Sequence, residues 1–112
     1  MKQGEDVIQA AVYLWYNNNY TVKGLGICFS IPNGGTRNIA EAVKLKATGL
    51  MAGASDLMLN HNGKWYCIEL KKPGGVQSPD QKKFQARIEA LGTEYKIIYS
   101  LDEFKEWLIQ KG

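Results

Sequence analysis

Residues 56–71 read Asp56-Leu57-Met58-Leu59-Asn60-His61-Asn62-Gly63-Lys64-Trp65-Tyr66-Cys67-Ile68-Glu69-Leu70-Lys71. Asn-Gly between two apolar-rich runs is the strongest short-range signal for a β-hairpin, because both central residues of a type I′ turn need positive φ. With Asn62-Gly63 as a two-residue turn, opposed residues have numbers summing to 125, which sets Asp56 opposite Glu69. A symmetric four-residue loop from His61 to Lys64 keeps this register, whereas a one-residue bulge would break it. Opposed residues point to one face of a sheet, with Cβ atoms about 4.5–5.5 Å apart. Lys71 lies two residues beyond Glu69 and joins the same face. Leu57, Leu59, Ile68 and Leu70 alternate with these charged groups.

Two carboxylates directly opposed on a strand pair repel each other. Two arrangements relieve the repulsion. A cation sits between the acids, or Lys71 bridges them on a solvated polar face. Spacing alone does not separate these readings. For a cation, oxygen donors without a convergent His or Cys favour Mg²⁺ or Mn²⁺ over zinc.

Outward from the hairpin, the chain alternates helices and strands. Val7, Ile8, Ala11, Val12 and Trp15 form the apolar stripe of a helix from Gly4 to Tyr16. Glu5 stands on the edge of that stripe, and Asn17-Asn18-Asn19 is expected to end the helix. Leu25 to Ile31 alternates as a strand, with Leu25, Ile27, Phe29 and Ile31 on one face. Pro32-Asn33-Gly34-Gly35 is a loop, and Ile39 to Thr48 a short helix that stops at Gly49. Ser78-Pro79-Asp80-Gln81 opens another helix through an N-cap, a first-position proline and a capping box. Phe84, Ile88 and Leu91 form its expected buried face, and Gly92 ends it. Tyr95 to Tyr99 is a strand. Ser100 and Glu103 cap a last helix whose core face is Leu101, Phe104 and Leu108. This order predicts an α/β fold, one domain over residues 1–112, with a mixed central β-sheet flanked by helices.

Composition narrows the class. The 112 residues are 45% hydrophobic and 22% charged, an ordinary globular balance that excludes a disordered tail or a collagen-like chain. Two cysteines, Cys28 and Cys67, are too few for a disulfide scaffold or a metal cluster, and their apolar settings read as reduced buried thiols. No apolar run approaches the ~18 residues that span a bilayer, and Met1-Lys2-Gln3-Gly4-Glu5-Asp6 lacks a signal-peptide pattern. The expectation is a soluble, cytoplasmic protein with no membrane partner. The net charge is only +3, yet residues 37–87 hold nine basic and four acidic residues, a balance of +5. That middle suits a polyanion, or is a set of solvated lysines. His61 is the single histidine, at a hairpin tip, so a His-based site lacks partners. The Gly-Gly pairs lack the Lys-Ser/Thr of a P-loop.

An Asp followed by a strand carrying Glu-x-Lys is the core pattern of PD-(D/E)XK nucleases. Here Gly53-Ala54-Ser55-Asp56-Leu57 precedes Ile68-Glu69-Leu70-Lys71. Asn33-Gly34-Gly35 with Arg37, a basic helix with Lys44 and Lys46, Gly49 and Gly53 before the Asp, and Ser78-x-x-Gln81 after Glu-x-Lys extend the pattern. Together they resemble the VRR-NUC (virus-type replication-repair nuclease) family, closely the short stand-alone phage-type members, from the first helix to about Gly92. Ser55 departs from the family, which usually has Pro before the Asp.

The resemblance implies a PD-(D/E)XK restriction-endonuclease-like core and a phosphodiesterase using Mg²⁺ or Mn²⁺. It implies that Asp56, Glu69 and the backbone carbonyl of Leu70 bind the metal. Lys71 would activate the attacking water and stabilise transition-state charge. Glu5 matches an acid that completes the site, and Gln81 stands where the family motif has Gln. Arg37, Lys44 and Lys46 read as phosphate contacts. The implied substrate is branched or structured DNA, such as a four-way (Holliday) junction, cut to leave 5′-phosphate in a phage or bacterial host cytoplasm. A homodimer is implied, because paired cuts need two sites. The alternative is a non-catalytic DNA-binding module retaining the nuclease fold.

Overall fold

The Asn62-Gly63 hairpin forms in the expected register. The structure, a computed structural model, describes residues 3–32 and 38–112; Asn33-Gly34-Gly35 and Arg37 lie outside the described residues. The elements are α1 (Gln3–Asn19), β1 (Gly26–Ser30), α2 (Ile39–Ala47), β2 (Leu57–His61), β3 (Lys64–Leu70), α3 (Pro79–Ala90), β4 (Glu94–Ile98) and α4 (Leu101–Gln110). Leu57 pairs with Ile68, Leu59 with Tyr66 and His61 with Lys64. Asn62 at φ 53° and Gly63 at φ 87° supply the positive-φ pair that the turn requires.

The strands lie in the order β1-β2-β3-β4. β1, β2 and β3 are antiparallel neighbours. β4 runs parallel to β3, with Glu69 beside Ile97 and Cys67 beside Tyr95. A parallel pair needs a crossover, which α3 provides. The sheet is therefore mixed, as expected. Its buried face carries Cys28, Leu57, Leu59, Tyr66, Ile68, Leu70 and Ile98, packed against Val12 and Tyr16 of α1 and Phe104, Trp107 and Leu108 of α4. Both cysteines are free and buried.

Several local expectations change. α1 continues through Asn19, beyond its expected end at Tyr16. The Asn19 amide donates back to the Trp15 carbonyl at 2.8 Å, and the Tyr16 and Tyr20 rings stack at 5.0 Å, so the last turn is held by its own side chains. β1 alternates as predicted, but its larger side chains face outward: Ile27 is 49% and Phe29 43% exposed, while Cys28 is buried. The inner side admits only small residues because Tyr16 lies against it. A Cβ on Gly26 would stand 2.0 Å from the Tyr16 hydroxyl and 2.3 Å from the Asn60 carbonyl.

The α3 face is also shallower than expected. None of its residues is fully buried, and Leu91 is 81% exposed, since it caps the helix end beyond the sheet. Ser100 accepts from the Glu103 amide as predicted, but the Glu103 carboxylate reaches Tyr99 N–H instead of Ser100. His61, at the hairpin tip as expected, is buried and pairs through Nδ1 with the Tyr16 hydroxyl at 2.8 Å. Burial moves the His61 pKa below its usual range. Among the described residues, α2, capped by Asn38, packs on no other element, and none of its residues is buried.

Candidate active site

The polar cluster forms where β2 begins and β3 ends. Asp56 immediately precedes β2, at the position the hairpin register carries beside Glu69. Its carbonyl accepts from Ile31 N–H at 2.9 Å, and its Oδ2 accepts from Leu70 N–H at 2.8 Å. The carboxylate is therefore pinned to the end of β3. Ser55, the one departure from the pattern of the sequence resemblance, is fully buried, and its hydroxyl donates to the Leu57 carbonyl at 3.2 Å. A hydrogen bond does here what a ring would do in stiffening the turn before the acid.

Glu69 is 1% exposed and Lys71 4% exposed, an unusual depth for either residue type. Glu69 Oε1 accepts from the Tyr95 hydroxyl and from Gln77 Nε2, the latter at 3.3 Å. Glu69 Oε2 is buried without a hydrogen bond among the described residues and stands 3.8 Å from Lys71 Nζ. A buried carboxylate oxygen left without a donor costs free energy unless a cation completes it. The oxygen-only donor set fits a hard divalent ion. Among the described residues, no three His, Cys, Asp or Glu side chains gather around one point.

Electrostatics tie four residues together. Burial pushes the Asp56 carboxyl above its usual range; the negative charges of Glu69 and Glu5 add to this, while the Leu70 amide and Lys71 oppose it. Glu5, in the first turn of α1, thus acts on the same carboxylate, and the start of that helix lies against Lys72, where a Cβ on Gly4 would meet the Lys72 Cβ at 3.1 Å. Burial, then the Glu69 carboxylate, drives the Tyr95 phenol far above its usual range, so it remains a donor.

An acid whose pKa rises on folding weakens the fold at neutral pH, and the penalty fades as pH falls through the raised pKa toward the unfolded value. In chelator at pH 7, Asp56→Asn should therefore melt higher than the parent. Relief of like-charge repulsion is worth about 0.2–1 kcal/mol, up to roughly 4 °C for a domain of this size. The advantage should shrink on acidification, and grow in a Lys71→Met background, where the opposing positive charge is absent. Calorimetric melting across pH checks it; a lower melting point in both backgrounds would mean that the Leu70 hydrogen bond outweighs the repulsion.

The structure brings together Asp56, Glu69, Lys71 and, through the field at Asp56, Glu5. Leu70 joins them through its amide on Asp56 Oδ2, and Arg37 lies outside the described residues. Gln81 Oε1 accepts from Ser78 N–H at 2.8 Å, completing the predicted capping box. The α3 start nevertheless abuts the Asp56 loop: a Cβ on Gly53 would lie 2.3 Å from the Asp80 carbonyl and 2.7 Å from the Gln81 nitrogen. Lys44 and Lys46 are exposed on α2. Tyr95 and Gln77 escaped the sequence reading. Tyr95 reads there as one more apolar strand residue and Gln77 as loop; the one clue was that a buried tyrosine hydroxyl needs a partner.

An α/β architecture with a mixed sheet and a carboxylate–lysine cluster at neighbouring strand ends is thus established by geometry. A solved structure called "VRR_NUC domain protein" is similar in fold, with a TM-score of 0.74 and 22% identity over 96% of this chain and 86% of that one. The fold implied by the sequence resemblance is the fold observed. No protein-family model matches the chain, and no curated protein matches it. No helix among the described residues is long and apolar enough to cross a membrane.

Proposed function

We propose that the 112-residue chain is a single VRR-NUC-type domain, a divalent-cation-dependent deoxyribonuclease. The observation that carries this reading is the buried, hydrogen-bond-free Glu69 Oε2 beside Asp56 and Lys71. The cluster also lies on a fold shared with a VRR_NUC domain protein. A solvated polar face with Lys71 bridging two acids, the other reading of the spacing, does not account for groups so deeply buried.

Asp56 and Glu69 would hold Mg²⁺ or Mn²⁺. In a strand, the N–H and C=O of one residue point to the same side, which supports the Leu70 carbonyl as a third oxygen. A hard cation retaining several waters fits two carboxylates. When bound, it supplies Lewis-acid polarisation of a phosphate oxygen and lowers the pKa of a coordinated water. Lys71 Nζ, held near Glu69, stabilises negative charge developing on the phosphoryl group and orients the attacking water. Glu5 adds negative charge that strengthens cation binding at Asp56. Gln81, at the α3 start, lies against the Asp56 loop and would help orient that water.

Arg37, Lys44 and Lys46 would contact the phosphate backbone. α2 carries both lysines exposed and, among the described residues, packs on no other element, as a phosphate-binding arm would. Replacing both Lys44 and Lys46 by Ala should weaken DNA binding alike on all sequences and lower the slope of log K against log salt by about one unit per lost contact. Binding unchanged across a salt series returns both residues to solvated surface.

The substrate in this reading is branched or structured DNA such as a four-way junction, cut by a homodimer in the host cytoplasm. One site per chain needs a second copy for paired cuts, and the half-exposed Ile27 and Phe29 on β1, with the Trp65 ring set edge-on to Phe29, offer apolar surface for one. Light scattering at assay concentration reads the mass. The deciding experiment is cleavage of linear, flap and four-way-junction DNA with Mg²⁺, Mn²⁺ or chelator. Cation-dependent scission supports the reading; DNA binding without scission under any cation would make the chain a non-catalytic DNA-binding module.

A further inference from the structure

The two oxygens of Glu69 are treated unequally. Among the described residues, Oε1 receives two donors, the Tyr95 hydroxyl and Gln77 Nε2, while Oε2 receives none. Both donors come from outside the hairpin. Tyr95 stands on β4 beside Cys67, two residues before Glu69 on the adjoining strand, and so shares the Glu69 face of the sheet. It is 6% exposed, and its ring packs against Phe84 of α3 with centroids 6.1 Å apart, which fixes the direction of its hydroxyl.

Gln77, just before the α3 N-cap, is set by a chain of hydrogen bonds. Its Nε2 also donates to Gln85 Oε1 at 2.8 Å, and Gln85 Nε2 donates to Glu89 Oε2 at 3.3 Å. An ionised carboxylate only accepts. Glu89 therefore turns the nitrogen of Gln85 toward itself and the oxygen of Gln85 toward Gln77. Gln77 is left facing Glu69 with a donor. The direction of the whole relay is set at the exposed end of α3 and delivered to the buried carboxylate.

We propose that Tyr95 and Gln77 are positioning residues that clamp Glu69 Oε1 and thereby aim Oε2 at the cation shared with Asp56. This inference rests on the divalent-centre reading above. Groups that orient a metal ligand without touching the metal commonly change affinity by about 10–100-fold when removed. Tyr95→Phe keeps the ring and its packing on Phe84 and deletes only the donor. Gln77→Leu deletes the second donor at a half-buried position where loss of folding is not at issue.

The test is titration of Mn²⁺, and separately Mg²⁺, into metal-free full-length protein without DNA, followed by calorimetry and by the Mn²⁺ electron paramagnetic resonance signal. Tyr95→Phe should weaken binding by about tenfold or more and Gln77→Leu by a smaller factor, with the double variant weakest. A role confined to folding would lower the melting temperature in chelator but leave the Kd of the folded protein unchanged. Asp56→Asn and Glu69→Gln are measured alongside. Wild-type affinity in those two would overturn the divalent-centre reading itself. Their loss of binding, with wild-type Kd in Gln77→Leu and in folded Tyr95→Phe, would overturn the clamp alone. If Tyr95→Phe fails to fold, Gln77→Leu decides: weaker binding sustains the clamp and unchanged binding rejects it.

Discussion

Glu69→Gln should lower cation-dependent DNA cleavage by roughly 10³-fold or more while DNA binding persists. The substitution preserves shape, and an amide oxygen can still accept from Tyr95 and Gln77. What changes is the oxygen beside Lys71, which becomes a neutral nitrogen unable to bind a cation. The buried Lys71 ammonium, 3.8 Å from Glu69 Oε2, also loses its partner. Lys71→Ala and Asp56→Ala should fall to the same floor, because the three groups act as one unit. Their pairwise combinations should cost little more than any single change. Asp56→Ala additionally frees the Leu70 amide, so it should lose stability that Asp56→Asn retains. Single-turnover cleavage with DNA in excess of Kd separates chemistry from binding. Wild-type scission by purified Glu69→Gln protein with Mg²⁺ would remove this cluster from the reaction.

Gly53→Ala should destabilise this fold strongly, through two effects at one position. Gly53 has φ +80°, a conformation that L side chains rarely adopt, and its Cβ would lie 2.3 Å from the Asp80 carbonyl carbon and oxygen. Those are backbone atoms in the first turn of α3, so no side chain can swing aside. Backbone strain of about 1–3 kcal/mol adds to an overpacking cost of about 1–3 kcal/mol. A total of roughly 3 kcal/mol corresponds to about 10 °C in melting temperature for a domain of this size. Gly74 is the control: it has φ +82° with nothing within 4 Å of an added Cβ, so Gly74→Ala carries the strain without the collision. Equal melting temperatures for the two variants would deny the close approach of α3 to the Asp56 loop. Cleavage by folded Gly53→Ala protein should also drop, because Asp56 lies three residues further on and α3 holds that loop in place.

The hairpin register, and with it the meeting of Asp56, Glu69 and Lys71, was legible in sixteen consecutive residues. A two-residue turn closes so short a loop that its chemistry sets the pairing, and strict two-residue periodicity then assigns the faces. The α3 capping box was legible for the same reason, since Ser78 and Gln81 satisfy each other within one turn. Alternation in β1 was legible as well, but not which side would be buried. Both faces of that strand carry residues a core accepts, and the choice falls to Tyr16, whose hydroxyl lies against Gly26 across the sheet. Glu5 could be placed on a helix edge, whereas its action on Asp56 depends on how α1 crosses the end of β3. Tyr95 and Gln77 were beyond reach of spacing altogether. The offset between β3 and β4 is not set by a tight turn; it follows from how α3 packs as the crossover between them, and that packing decides which side chains meet Glu69. Local turn chemistry and periodicity determined which charged groups this protein brings together, while contacts between distant segments decided how deeply they are buried and what holds them.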